Sequence, residues 1–388
     1  MTALSRPFGG SLVKVAVHLI GLALVLGTGS PQALALAAGD PRGESGRGEA
    51  PREEDAPAAT PLNGSLTNLQ FGGLIQGWYL AASGSATDTF RLRRAELKLS
   101  ANLGSKASWL VMVDPSKSLS MNREWIDVEG RRVLADVLPN QASRILQDAF
   151  ITLTGIPRVE ISVGQFKLPL GFEGLESSAA LGTVERALFL TDRTRGGTYG
   201  DVRDLGAMVK GKAGGAFEYR VGFFNGAGQT QNDVGRPDGK MIAGRLVAHP
   251  GVVPGLTVGI SAGRGLQGCA AARQDRTGFD AQYVHDALTL RAELMAGRDG
   301  STRRVGYYAH AAYRVAPDLE VVLRYDSWDP DRAGDATAAA VEERDYVAGA
   351  SYFLDTNVKW QVNVLRKTFT TGVVPTRTQL TTNLQVSW

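Results

Sequence analysis

The chain has 388 residues, 42 Lys and Arg against 39 Asp and Glu, a formal net charge of +3, 47 Gly and one Cys. With 21% charged residues and only moderate hydrophobicity, it is not a bundle of membrane helices, and the lone Cys269 excludes an internal disulfide and a thiolate metal cluster. The mild positive balance says little about partners and points to no nucleic acid.

At the N-terminus, Arg6 and Lys14 precede an apolar run from Val15 to Leu26, small residues and an Ala35-Leu36-Ala37 triplet. This reads as a secretory signal peptide over residues 1–37. The run is too short to span a bilayer comfortably. Residues 38–62 combine Pro, Gly and acidic side chains with almost no bulky apolar residue, so they are predicted to be a disordered acidic tether. Removing the signal's two positive charges and the tether's net −3 leaves +4 on residues 63–388.

From Asn63 onward the pattern is strands. Apolar residues recur with period two at Trp109, Val111, Val113; at Ala149, Ile151, Leu153; at Val159, Ile161, Val163; and at Phe217, Tyr219, Val221, Phe223. The same holds for Leu288 to Leu294, Val305 to Val315, Leu319 to Tyr325 and Leu380 to Trp388. Between them stand polar residues such as Glu160, Glu218, Arg220, Arg291, Glu293, His310, Arg314, Arg324, Asn383 and Gln385. A strict period of two gives one greasy face and one wet face.

The connections alternate in length. Short turns are expected at "NLGSKAS", "TGIPRVE", "KGKAGGA", "AHPGVVPGLT", "VHDALT", "VAPDLE" and "LDTNVKW". Long loops are expected near 81–89, 114–144, 168–203, 225–240, 264–276, 297–305, 327–344 and 369–376. Short turns on one rim and long loops on the other describe an all-β transmembrane antiparallel barrel of about 16 strands. Hydrocarbon enforces closure, because every backbone amide there needs a partner within the protein. A soluble sandwich explains the alternation alone, but not its combination with an export signal and two classes of connection. Aromatics including Trp78, Tyr79, Trp109, Phe223, Tyr307, Tyr325, Tyr352 and Trp360 are then expected as interfacial girdles.

The stretches "FRLRRAELKLSANL", "QDAFITLTGIPRVEISVG", "VGQFKLPLGFEGLESSAALGTVERALF", "RTRGGTYGDVRDLGAMVKG" and "EYRVGFFNG" occur in that order and resemble the phosphate-selective porin O and P family. The resemblance covers about Asn68 to Trp388 and is strongest between Phe90 and Gly226. It implies a Gram-negative outer-membrane porin, a homotrimer, with a long third loop, residues 168–203, folded into the lumen as a constriction.

It also implies an anion path lined by Arg93, Arg94, Asp148 and Lys167. Independently, parity slips between Leu92 and Leu97, so a bulge there aims both guanidiniums inward, where an Arg fork suits phosphate oxygens. The alternative is that these arginines stiffen the wall by pairing with Glu96 or Asp148. The loop adds Arg193, Arg195 and Arg203 as further candidates, but also Glu173, Glu176, Glu185, Asp192 and Asp201. Inward positives such as Lys98, Lys210, Arg220 and Lys359 face acids such as Glu96, Glu160 and Asp280, making the lumen zwitterionic.

No reactive constellation is present. His249, His285 and His310 have neither metal spacing nor a "GxSxG" partner, so the reading is no enzyme, no cofactor and no metal site. The terminal Trp388 looks like the signal read by the barrel-assembly machinery. The expected function is passive diffusion of small hydrophilic solutes, tilted toward anions such as phosphate, in contact with outer-membrane lipid. The alternatives are a non-selective porin, or a structural or receptor barrel plugged by its loops.

Overall fold

The structure, a computed structural model, describes residues 66–83, 88–119, 121–128, 131–139, 144–192, 195–226, 228–229, 239–267, 272–334, 341–370 and 374–388. The expected signal peptide (1–37), the tether (38–62) and Arg193 lie outside the described residues.

Among the described residues, strands follow in chain order as β1 (Leu66–Ala82), β2 (Thr89–Leu103), β3 (Ala107–Val113), β4 (Met121–Val128), β5 (Arg131–Pro139) and β6 (Leu146–Ile156). Next come β7 (Val159–Lys167), β8 (Arg203–Ala213), β9 (Phe217–Phe224), β10 (Met241–Ala248), β11 (Leu256–Gln267) and β12 (Ala272–His285). Last are β13 (Leu288–Asp299), β14 (Thr302–Ala316), β15 (Leu319–Asp329), β16 (Glu343–Asp355), β17 (Val358–Phe369) and β18 (Arg377–Ser387). β4 and β5 form their own hairpin within the second loop, and the other sixteen close a single barrel. Every neighbouring pair in it is antiparallel, and β1 meets β18 to complete the ring.

The seam is finished by Trp388. Its amide and carbonyl exchange hydrogen bonds with Gly73 at 3.2 and 3.0 Å, and its ring lies where a Gly73 side chain would stand, 2.3 Å from an added Cβ. Closure of this kind leaves no open edge in the membrane.

The side-chain pattern follows the period-two expectation. Along β14 and β15, Tyr307, Ala309, Tyr313, Val321 and Leu323 are exposed while Tyr308, His310, Val322, Arg324 and Asp326 are buried. All seven short turns fall where the spacing placed them. The loop rim differs at two places. β13 runs to Asp299 and β14 resumes at Thr302, so the expected loop 297–305 is a tight turn whose Gly300 sits at φ +61°, as two-residue hairpins require. β11 likewise extends to Gln267 and β12 begins at Ala272, which shortens the expected 264–276 loop.

One glycine is dictated by close approach. Gly164, in the "GQFK" stretch, has φ +136°, and a Cβ there would lie 2.2 Å from the carbonyl oxygen of Ala149. No L side chain fits without moving β6.

The buried apolar cluster lies inside the barrel, between wall and third loop. Leu170, Leu188, Phe189, Leu190 and Tyr199 from the loop pack against inward-facing Met241, Met295, Tyr308 and Trp328. The inward face is therefore not uniformly polar. Trp78 also departs from expectation: it is 6% exposed and faces inward under the Arg93 guanidinium, 5.3 Å away, so it is not a girdle residue. Phe223, Tyr307, Tyr352 and Trp360 are exposed on the outward side.

Candidate functional site

The candidate site is the lumen where the third loop crosses it. The loop leaves β7 at Lys167 and re-enters β8 at Arg203, and these two residues are cross-strand partners. Between them, residues 168–202 form hydrogen bonds with inward side chains around much of the wall. Gly171, at φ +69°, brings the chain so near β13 that an added Cβ would be 2.0 Å from Glu293 Oε1. That approach lets the amides of Phe172 and Glu173 donate to the Glu293 carboxylate at 2.9 and 3.0 Å.

Glu173 then accepts from Arg324 at 2.5 and 3.2 Å and from the amide of Ala187 at 2.7 Å. Glu176 pairs with Arg291 at 3.1 Å. Farther along, Lys359 donates to the carbonyls of Ala179 and Leu181 at 3.1 and 2.9 Å, Gln385 donates to Ala179 at 3.0 Å, and Asn363 accepts from the amide of Val184 at 2.7 Å. A single helical turn, Leu188–Thr191, is pinned by its first amide to Asp326 at 3.1 Å.

The predicted arginines of β2 take part in this anchoring. The β1–β2 register pairs Gln76 with Arg94 and Gly77 with Leu92, so Arg93 is the extra residue of a bulge, and both guanidiniums reach the loop. Arg93 donates to Glu185 through Nε at 3.0 Å and Nη2 at 2.8 Å. Arg94, 4% exposed, donates to Gln76 at 2.6 Å and to Glu185 at 3.5 Å, and lies 3.8 Å from Glu96.

The loop's electrostatics follow from these partners. Burial alone would raise the Glu185 carboxyl, but Arg93 and Arg94 outweigh it and hold its pKa at about 2. Asp201, though buried, is held well below the usual range by Lys167, Arg186 and Arg203. Glu176 moves the other way: burial raises it despite Arg291. Tyr199 is pushed up to about 12 by burial, with Arg276 only partly offsetting.

Lys167 binds Asp201 at 2.8 Å and the carbonyl of Gly174 at 2.7 Å. Asp148 accepts from Arg203 at 2.9 and 3.2 Å. Arg195 binds Asp192 at 2.5 Å, the carbonyl of Val341 at 2.9 Å, and Glu343 on β16. The predicted residues therefore separate into two groups. Arg93, Arg94 and Arg195 hold the loop to the wall, Asp148 and Arg203 line an open space, and Lys167 does both.

That space is a cavity of about 960 Å³ against β1–β3 and β6–β9. Its ionisable lining is Lys98, Lys167, Arg203, Lys210 and Arg220 against Glu96, Asp148 and Glu176, a positive excess in a confined aqueous bore. Lys210 pairs with Glu160 at 2.9 Å, whereas Lys98 and Arg220 have no ion-pair partner among the described residues. Arg220 stands directly between Lys210 and Arg245 in the hydrogen-bonded register. Arg245 is already held by Asp280, 2.8 Å away. Parity had placed Lys98 and Arg220 on the inward face, but it did not single them out as site residues. Lys98 shares its face with Glu96 and lies in register with Asp148 two strands away, and Arg220 shares its face with Glu218, so the sequence carried no signal that sets them apart.

Residues 80–265 match the family described as phosphate-selective porin O and P. No curated protein matches the sequence. Among solved structures, the anion-selective porin from Comamonas acidovorans is similar at 14% identity and TM-score 0.56, over 83% of this chain and 99% of that one. Salmonella typhi OmpF in complex with daunomycin is similar at 13% identity and TM-score 0.58, over 82% of this chain and 97% of that one. The trimer form of Vibrio cholerae OmpT is similar at 10% identity and TM-score 0.53, over 83% and 99%. Closed barrel, interior loop and family match converge: residues 80–265 match the phosphate-selective porin O and P family, channels rather than enzymes, and the sixteen-strand barrel around them is the fold of a Gram-negative outer-membrane porin.

Proposed function

We propose that this porin passes small hydrophilic solutes passively and favours anions, with phosphate and related oxyanions as the natural candidates. The observation that carries the reading is Arg220, an inward cation flanked in register by Lys210 and Arg245 and facing the 960 Å³ cavity. Like charges directly opposite one another destabilise a sheet, and a passing anion relieves that repulsion. Confinement between low-dielectric walls strengthens the local field. Lys98, Lys167 and Arg203 extend the positive lining along the same side.

The loop acts as a fixed partition. Its hydrogen bonds to β13, β15, β17 and β18 fill that side of the lumen and direct traffic along β1–β3 and β6–β9. Arg93 and Arg94 serve by holding Glu185 rather than by touching the solute. The test is the reversal potential of single channels in a KCl gradient, followed by phosphate addition. A chloride-selective sign and a phosphate-dependent block support the reading. A potassium-selective sign removes the anion preference.

A second reading is a barrel plugged by its loop, favoured by the density of loop-to-wall bonds. Liposome swelling separates the two, since a plugged barrel admits neither sugars nor ions. Homotrimer assembly, suggested by the trimeric neighbour, also belongs to this proposal. So do Trp388 as the contact for the barrel-assembly machinery, the export signal at 1–37 and the tether at 38–62.

A further inference from the structure

A groove of about 820 Å³ opens on the outer wall of the barrel, away from the lumen. Its floor consists of Ala281, Ala292 and Ala309, which stand directly opposite one another on β12, β13 and β14. Leu290, Leu323, Tyr325 and Tyr346 rise beside them. The hydrogen-bonded row continues from Ala309 through Tyr325 and Tyr346 to Arg366. Because barrel strands are tilted, such a row climbs the wall. Arg366, near the loop-rim end of β17, closes the groove at the top.

A second feature points to what lies there. Arg298 and Arg303 are exposed, face outward and stand directly opposite each other across β13 and β14 at the loop rim. They and Arg366 have no ion-pair partner among the described residues. The neighbouring outward arginines are partnered: Arg264 and Arg273 share Asp275 at 3.8 and 2.6 Å, and Arg344 is held by Glu342 at 2.8 Å. Asp275 stands opposite Arg298 on its other side but is taken up by Arg264 and Arg273, and Arg298 donates to the carbonyl of Gly300 at 2.6 Å, which leaves its charge unneutralised. Two like charges set face to face favour a bridging anion, and a guanidinium fork matches phosphate oxygens. Long loops mark the extracellular side, so these arginines stand at the level of the outer-leaflet headgroups.

We propose that this wall binds a phosphorylated glycolipid of the outer leaflet, the lipid A portion of lipopolysaccharide. One acyl chain lies along the alanine floor, and the phosphates meet Arg298, Arg303 and Arg366. A two-fold contact through this face would bring these arginines against their own counterparts, and a contact between different faces, as in a ring, is distinguished by the groove-filling variant below.

The test uses full-length chain refolded into detergent and titrated with deep-rough lipopolysaccharide, with the same lipid after phosphatase treatment, and with phosphatidylethanolamine. Bound lipid is read by native mass spectrometry. Two variants accompany the wild type: R298A/R303A/R366A, and A292W/A309W to fill the groove. Both alter only outward residues, so heat-modifiable migration and ion conductance should match wild type and serve as the folding control. The phosphorylated lipid should bind wild type and lose at least about tenfold in affinity for either variant, and phosphatase treatment should reproduce the arginine loss. Equal binding of the dephosphorylated lipid, or variants that bind like wild type, would overturn the proposal. So would an oligomer that A292W/A309W dissolves while lipopolysaccharide binding stays unchanged, since the groove would then be a subunit contact.

Discussion

Arg93 on β2 and Glu185 in the third loop, 92 positions apart, are joined by two hydrogen bonds of 3.0 and 2.8 Å to one carboxylate oxygen. The bulge that supplies Arg93 exists because Gln76 pairs with Arg94 while Gly77 pairs with Leu92. A local irregularity of the wall is thus what fastens a distant loop across the pore.

Cutting that fastening should change the size of the pore more than its preference. Glu185→Ala leaves Arg94, buried against Gln76, without its loop carboxylate, a loss of roughly 1–3 kcal/mol. We expect higher single-channel conductance with flicker between levels and a nearly unchanged reversal potential. Planar-bilayer recording checks both. A selectivity change without a conductance change would contradict the anchoring role.

The same contact sets an acid limit. The folded-state pKa of Glu185 is depressed to about 2, below the ordinary glutamate value of about 4.3. Its stabilising contribution is therefore complete above the unfolded value and declines as pH falls toward the folded one. Conductance should hold steady from neutral pH to the ordinary glutamate range and rise only in stronger acid. Glu185→Gln should remove that acid step. A transition near neutrality that survives in Glu185→Gln would exclude this carboxylate as its source.

Charge reversal along the open side should alter selectivity and leave the loop in place. Lys98 and Arg220 line the 960 Å³ cavity and take no part in anchoring. Lys98→Glu combined with Arg220→Glu should reduce the chloride-to-potassium permeability ratio by at least about threefold, since the field in a narrow bore is set by its own wall. Arg195→Ala, which breaks the contact to Glu343, should not do so. Reversal potentials of the two variants decide the point.

Gly164 makes a prediction about folding alone. With φ +136° and the carbonyl oxygen of Ala149 2.2 Å from an added Cβ, Gly164→Val imposes both backbone strain and a clash, at a cost of roughly 1–3 kcal/mol or more. The heat-modifiable folded fraction should fall and unfolding should shift to lower urea. Full folding at wild-type stability would show that β6 and β7 part more easily than their register implies.

Much of the barrel was legible because the relevant period is two residues long. Val305 to Val315 and Leu319 to Tyr325 announce their faces locally, and the turn at "VAPDLE" does the same for its rim. Residues 297–305 differ from the expected loop because Arg298 and Arg303, which look like loop residues, prolong β13 and β14 as outward, paired strand positions. Residue type alone places Trp78 in the girdle, whereas its parity with the inward Gln76 places it inside. The loop's partners were not legible, since Glu185 meets Arg93 and Glu173 meets Arg324 only after closure. One sign was present, however. Met295, Tyr308 and Trp328 are apolar or aromatic at inward positions, and that break in pattern marks the wall where Phe189 and Tyr199 dock.

The central claim is an aqueous path with a positive side along β1–β3 and β6–β9, left open beside a loop bonded to β13, β15, β17 and β18 and tied across the pore to β2. Its most direct test is the zero-current potential of the purified wild-type channel between unequal KCl solutions. The account predicts steady conductance and a potential of the sign set by chloride, diminished as phosphate competes for the same wall. A closed membrane, or a potential of the sign set by potassium, would contradict it.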